Sequence, residues 1–464
     1  MYLEDLGTFS SPRAADFSGD GVLDIVVGAG RQEFMATDSA VIALDGETGE
    51  VLWYVGARDQ VFGSAAIHDL TGDGILDVVI GGRSAELKAI DGATGSVIWE
   101  YFPAGDTVAA RDFGLYNFYN PQIVRDLDGD GIADLVVSNG GDVLAERDDP
   151  DRPPGRLMVV SGGDGRLIAS DTMPDGRETY MSAVVADLRG GGDLEIIFGS
   201  GGETFGGHLY RTTLADLLKQ DISSAVVLAE SPDRGFVGPP VLSDITGDGI
   251  LDIVANAVDG RMLAFNGDDN VPLWSVRVPD TEAYGSIAVG LFTDDDVPDF
   301  FASYAMGQWP NLGWSRQLMV DGQTGDVVFA DSLGLYQTSS PVAGDLDADG
   351  RDEVILSVNF EVITSLFQKR FFTMLVQIDF ETEEVTQIGS SLNGSNLSST
   401  PWLGDLDADG LLDIVYCNTP DTLHTYVFNG LQISRIATDV SATDPPAWGA
   451  YMGNTYDGIF RRKR

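Results

Sequence analysis

Nine-residue segments rich in aspartate and glycine recur along the chain: DFSGDGVLD at 16–24, DLTGDGILD at 69–77, DLDGDGIAD at 126–134, DITGDGILD at 244–252, DLDADGRDE at 345–353 and DLDADGLLD at 405–413. Side-chain oxygens fall at positions 1, 3, 5 and 9, the sixth residue is glycine, and the seventh offers a backbone carbonyl. Alternate side chains of a tight loop converge on one point only where the backbone curls around it, and glycine at position 6 permits the positive φ this demands. The first half of the pattern repeats the logic of the EF-hand loop, but here the loop leads into a strand and its last carboxylate comes at position 9. Carboxylates without imidazole or thiolate form a hard ligand set, which selects calcium or magnesium over zinc, copper or iron, and calcium tolerates the irregular geometry better. Crowded carboxylates repel one another without an ion, so loading is expected to be linked to folding.

Two weaker copies complete the series, DLRGGGDLE at 187–195 and LFTDDDVPD at 291–299. In the first, Arg189 and Gly191 replace two ligands and leave Asp187 and Glu195, so a guanidinium is expected in the ion's place. In the second, Leu291 replaces the first aspartate while Thr293, Asp295 and Asp299 remain, and binding is expected to be weak or absent.

The elements that must carry these loops follow from what flanks them. A short alternating stretch such as 64–67 precedes each loop, and a β-branched run such as 77–80 follows it. A second pattern comes next, as in VIALDGETGEVLW at 41–53, LKAIDGATGSVIW at 87–99, MLAFNGDDNVPLW at 262–274 and QLMVDGQTGDVVF at 317–329. Apolar alternation on both sides of a glycine-containing turn marks a β-hairpin, so each unit supplies about four short strands. The units start near 9, 62, 119, 180, 237, 284, 338 and 398, and a closing segment occupies 441–464. The fold class is all-β: a single β-propeller domain over 1–464, made of four-stranded antiparallel blades. Eight blades follow from the loop count, or seven if the short unit near Leu291 is merged. One short helical insertion is expected near 213–220, where Leu214, Leu217 and Leu218 fall at helical spacing behind Thr213.

The net charge of -46 argues against nucleic acid and anionic membranes as partners. The scarcity of lysine beside this acid excess is what a protein solvated in high salt would show. Cys417 is the single cysteine, which excludes an intrachain disulfide framework or zinc cluster, and its apolar surroundings point to an inert buried thiol. No apolar run of membrane-spanning length occurs, and the N-terminus has neither the basic nor the apolar region of a signal peptide.

The DxDGDGxxD loop followed by a DIVVG-like strand resembles the FG-GAP (VCBS-type) repeat of integrin α-subunit propellers. The ALDGxTGxxxW hairpins, with Trp53, Trp99 and Trp274, are similar to the repeat of pyrroloquinoline-quinone-type propellers. The first resemblance implies about six calcium sites. Their ligands would be Asp16, Ser18, Asp20, Val22 and Asp24; Asp69, Thr71, Asp73, Ile75 and Asp77; and Asp126, Asp128, Asp130, Ile132 and Asp134. The other three sets would be Asp244, Thr246, Asp248, Ile250 and Asp252; Asp345, Asp347, Asp349, Arg351 and Glu353; and Asp405, Asp407, Asp409, Leu411 and Asp413. The seventh-position residue of each set would contribute its carbonyl. Trp448–Asn454 resembles the closing segment of such proteins.

The function expected is that of a non-catalytic adhesion, ligand-binding or assembly scaffold. It would be extracellular, at the cell surface or periplasmic, with a protein or glycan ligand. The alternative is a polysaccharide-active lyase or hydrolase on the same calcium-stabilised propeller. A quinoprotein dehydrogenase is disfavoured, because that family's vicinal cysteine pair cannot form from one cysteine. His68, His208 and His424 are scattered in different units and suggest no catalytic constellation. Two aromatic-rich loops outside the repeat, Asp112–Tyr119 and Gln308–Trp314, are candidate ligand surfaces, although packing between blades explains them equally well. The basic end Arg461–Arg464 reads as a solvated tail on an acidic body.

Overall fold

The computed structural model describes residues 1–102, 110–111, 113–142, 144–146, 148–202, 204–336, 338–363 and 368–461. Each repeat forms one antiparallel sheet whose strands follow chain order from one edge to the other. The first consists of Arg13–Ala15, Asp24–Gly28, Thr37–Leu44 and Val51–Ala57. There are eight such sheets, and the third and sixth add a short fifth strand, Asn117–Phe118 and Thr281–Glu282. The fold is an eight-bladed β-propeller. The unit near Leu291 has its own complete sheet, including Asp299–Gln308 and Asn311–Val320. The chain forms two compact units, one of Arg13–Val237 with the first four sheets, the other of Met1–Pro12 and Gly238–Arg464 with the remaining four.

Burial follows strand position. The second strand is buried throughout in sheets such as Asp24–Gly28, Asp77–Gly81 and Asp134–Gly140, because both of its faces are covered. This is why the sequence after each loop is a continuous β-branched run and not an alternation. Outer strands such as Val327–Asp331 are largely exposed. Neighbouring sheets share cores: Phe17, Val26 and Trp53 of the first pack with Val78, Ile80 and Ile90 of the second.

The tryptophans connect sheets through a specific bond. Trp53 Nε1 donates to Gly92 O, Trp99 to Gly162 O and Trp274 to Gly322 O, each at 2.7 Å. In every case the acceptor lies in the turn of the following sheet. The indoles also cover the later glycine of that turn, where a Cβ on Gly95 or Gly165 would stand 2.6 Å from the Trp53 or Trp99 side chain.

The first strand, Tyr2–Glu4, pairs with Gly430–Ser441 and so completes the eighth sheet with residues from the chain's other end. The closing segment covers inner strands: Trp448 exchanges backbone hydrogen bonds with Ala343 at 2.9 Å, Leu403 N donates to Gly449 O, and Leu242 N donates to Gly458 O. Inner edges that would otherwise expose unpaired backbone groups are thereby satisfied. The helical insertion is Leu214–Leu218, where Thr213 caps the amide of Asp216 and Leu214 and Leu217 are buried. Leu218, by contrast, faces out and is 36% exposed.

Candidate functional site

The carboxylate at position 9 is a buried junction in five of the acidic loops, those of Asp24, Asp77, Asp134, Asp252 and Asp299. Asp24 Oδ2 accepts the amides of Phe17 and Ser18 at 2.9 and 2.8 Å, and Oδ1 accepts Gly46 N at 3.1 Å. Asp77 repeats this with Leu70, Thr71 and Gly92, and Asp252 with Ile245, Thr246 and Gly267. Asp134 accepts Leu127 N at 2.7 Å and Gly162 N at 3.1 Å. Gly92 and Gly162 are the residues whose carbonyls receive Trp53 and Trp99. The chain of bonds therefore runs from loop to carboxylate to hairpin turn to the preceding sheet. In the seventh sheet Phe380 stands where the turn glycine would be and packs on Phe292, Phe301 and Phe329 instead.

Positions 1 and 5 shape the loop itself. The position 1 carboxylate accepts the amide of the glycine at position 6, from 2.9 Å in Asp16–Gly21 to 3.1 Å in Asp69–Gly74. In the six regular loops that glycine has φ between 84° and 94°, the left-handed region that side chains avoid. Asp20, Asp73, Asp130, Asp248, Asp349 and Asp409 each accept the amide of position 7 at 2.8 Å, which fixes Val22, Ile75, Ile132, Ile250, Arg351 and Leu411 against the loop.

Three loops draw three carboxylates together. Oxygens of Asp126, Asp128 and Asp134 lie within 4.8 Å of one another, as do those of Asp345, Asp347 and Glu353 and those of Asp405, Asp407 and Asp413. Positions 1, 3 and 9 converge in each. Where position 3 is a hydroxyl, as at Ser18, Thr71 and Thr246, no such group of three carboxylates forms among the described residues. The donors fit a hard divalent cation: the Oδ1 atoms of Asp405 and Asp407 are buried and accept no hydrogen bond among the described residues.

Arginines meet several of these acids in ways the sequence did not disclose. In the fourth sheet the guanidinium on Glu195 is that of Arg211, Nη2 to Oε2 2.5 Å, reaching over from the third strand. Asp187 accepts the amides of Gly191 and Gly192. In the eighth sheet Arg435 Nε lies 2.8 Å from Asp413 Oδ1, and its Nη2 bonds Asp407 Oδ2. Arg166, from a hairpin turn and half exposed, pairs with Asp128 at 2.6 Å. In the sixth loop, Leu291 N donates to Asp352 Oδ2 of the next sheet at 2.7 Å, and Thr293 Oγ1 bonds Asp299. Cross-strand register, which places Arg211 and Arg435, is invisible until the sheets are assembled.

Burial raises the acids of this layer. Asp24, Asp134, Asp252 and Asp413 all stand above the ordinary carboxylate range for this reason. Asp299 and Asp352 are pushed up to about 6, and Glu353, also crowded by Asp347, Asp345 and Asp349, to about 8. Asp126 is held low by the amides of Gly129 and Gly131. A folded-state pKa above the unfolded one means the native state holds more protons between the two values, so the stability it confers is lost as pH rises through the folded pKa. In chelator, the melting temperature is therefore expected to fall from pH 5 to pH 8 (about the span of these shifts), followed by circular dichroism. A rise across that interval contradicts the assignment.

Elsewhere, a cavity of about 380 Å³ is lined by Tyr101, Phe102, Phe113, Arg156 and Arg166 among others. Phe113 is 68% exposed, while Phe118 and Tyr119 of the same loop are buried and Asp112 lies outside the described residues. In the second aromatic loop Trp314 is 61% exposed and Trp309 packs edge-on against Tyr426. Of the basic end, Arg461 pairs with Asp457, and 462–464 lie outside the described residues. Burial pushes the Cys417 thiol up to about 12, which leaves it unreactive. His208 Nδ1 lies 2.9 Å from Asp175, but Ser200 donates to that same carboxylate and not to the imidazole, so no nucleophile and base face one another there. No helix among the described residues is long and apolar enough to cross a membrane.

Residues 14–127 match the family described as outer membrane protein assembly factor BamB. FAM234B of Homo sapiens is 24% identical over 381 residues, covering 74% of this chain and 55% of that protein, and the Mus musculus protein matches to the same extent. The chain thus spans about half the length of the curated relatives it matches. Among solved structures, Sqt1 of Saccharomyces cerevisiae superposes with a TM-score of 0.59 at 10% identity, over 94% of this chain and 98% of that one. Quinohemoprotein alcohol dehydrogenase from Comamonas testosteroni does so with 0.52 at 12% identity, over 96% and 78%. Likeness to these structures at such identity shows the fold alone.

Proposed function

We propose that the protein is a calcium-binding, FG-GAP-like propeller that acts as a non-catalytic scaffold for adhesion, ligand binding or assembly at the cell surface, outside the cell or in the periplasm. The observation that carries this reading is the junction at position 9. In the third loop a cation held by Asp126, Asp128 and Asp134 would fix the carboxylate that also holds Gly162 of the hairpin turn, and through the turn Trp99 of the preceding sheet. Ion binding would in this way stiffen contacts between sheets. Positions 1, 3 and 9 would hold the ion, position 5 shapes the loop through the position 7 amide, and the position 9 acid transmits. Sites of this kind in extracellular modules are weak, and the calcium of the cytosol would leave them empty, which favours the cell surface, the outside of the cell or the periplasm.

A glycan or protein partner needs a surface that the repeat does not describe. The cavity at Phe113 supplies aromatic faces beside Arg156 and Arg166, chemistry suited to stacking on a sugar ring and pairing with a carboxylate. An acidic-glycan array is the test: binding is expected in calcium, with about a tenfold loss on Phe113→Ala. Equal binding by the variant, or none by the wild type, rejects this surface. The second reading, a polysaccharide-active enzyme, is decided by incubation with the same glycans, where measurable cleavage displaces the scaffold reading.

A further inference from the structure

One register position distinguishes the sheets. Two residues after position 9, the second strand faces a residue of the third strand: Val26 pairs with Ala43, Val79 with Ala89, Val136 with Val159 and Val254 with Ala264. In the sixth and seventh sheets the partners are Met319 and Gln377. All six are uncharged. In the fourth sheet the residue facing Ile197 is Arg211, and in the eighth the residue facing Val415 is Arg435. Both arginines turn onto the position 9 carboxylate, Arg211 onto Glu195 at 2.5 Å and Arg435 onto Asp413 at 2.8 Å.

The fourth loop has lost the acids at positions 3 and 5, so there the arginine accompanies a loop that no longer carries a ligand set. The eighth loop keeps every acid, yet Arg435 bridges Asp407 and Asp413, two of its three converging carboxylates. A guanidinium in that position neutralises charge that would otherwise need an external cation, and it repels a second positive charge brought to the same carboxylates. It leaves Asp405 Oδ1 and Asp407 Oδ1 without a hydrogen bond, so the loop still has donors to offer, but to a cation that must approach Arg435.

We infer that Arg435 is an internal counter-ion that makes the eighth loop hold its shape without calcium and lowers that loop's affinity for the ion. The loop belongs to the sheet that joins the two ends of the chain, through Tyr2–Glu4 on Gly430–Ser441, so this sheet would stay closed when the other loops are stripped. The inference rests on the calcium reading for its affinity arm, but not for its chelator arm.

Arg435→Gln and Arg435→Lys in the full chain test it. In EDTA, Arg435→Gln is expected to lower the melting temperature by about 3 °C or more relative to wild type, and Arg435→Lys, which keeps a charge, by less. In calcium titrations followed by calorimetry, Arg435→Gln is expected to tighten one site by about tenfold or more. An Arg435→Gln protein that melts in EDTA with the wild type overturns the counter-ion role, whatever calcium does. Unchanged calcium affinities in a wild type that does bind the ion overturn the antagonism. If the wild type binds no calcium, the reading of the other loops fails, and the EDTA comparison still decides the role of Arg435. Should Arg435→Gln not fold in EDTA while Arg435→Lys does, the counter-ion role is upheld.

Discussion

Removing calcium is expected to lower the melting temperature by about 10–15 °C. At a hundredfold excess over its dissociation constant, an ion bound only by the native state contributes about 2.7 kcal/mol per site. On the proposed reading five loops would contribute independently, with Arg435 on Asp407 and Asp413 weakening the eighth. At an unfolding entropy of about 2.1 cal/mol/K per residue, that sum over this chain length gives the stated shift. Magnesium is expected to substitute poorly, because it demands an octahedral shell and gives up its waters reluctantly. Scanning calorimetry with calcium at a hundredfold excess over its dissociation constant, with magnesium at the same concentration and in EDTA measures the difference. A melting temperature indifferent to all three means that the aspartates serve only to close turns.

The second large effect belongs to position 9 and does not depend on the ion. Asp252 is wholly buried and accepts three backbone amides, from Ile245, Thr246 and Gly267, at 2.9, 3.0 and 2.9 Å. Asp252→Ala leaves the buried amides of Ile245 and Gly267, and the more exposed one of Thr246, without that acceptor, at a cost of about 3–5 kcal/mol. Asp248, at position 5 of the same loop, is exposed and accepts only the amide of Ile250. Asp248→Ala is therefore expected to cost less than about 1 kcal/mol in EDTA and to show its main effect only in calcium. Denaturant midpoints in both conditions separate the two roles. Equal losses in EDTA would show that the buried carboxylate is not the junction its bonds describe.

Much of this was legible in the sequence because repetition amplifies weak signals. One DGDG turn says little, but six in register locate the start of every second strand, and the β-branched runs that follow match the buried strands. The tryptophans marked the hairpins as a repeat, yet nothing in the sequence showed that Trp53 reaches Gly92, which lies 39 residues away in the next sheet. The acid at position 9 stood out in the sequence only as a candidate ligand, while its bonds to the turn glycine depend on folding the hairpin back over the loop. Arg435 was hidden for the same reason: its meeting with Asp413 is a matter of cross-strand register, which hydrophobic patterning constrains only to a face. The helical insertion was visible from Leu214 and Leu217, whereas Leu218, at the same spacing, lies on the solvent side.

Whether these loops hold calcium is read most directly by counting the ion on the full chain, by equilibrium dialysis at millimolar free calcium followed by elemental analysis. About five equivalents per chain are expected, with one more at higher concentration as the loop guarded by Arg435 fills. Fewer than one equivalent would contradict the account.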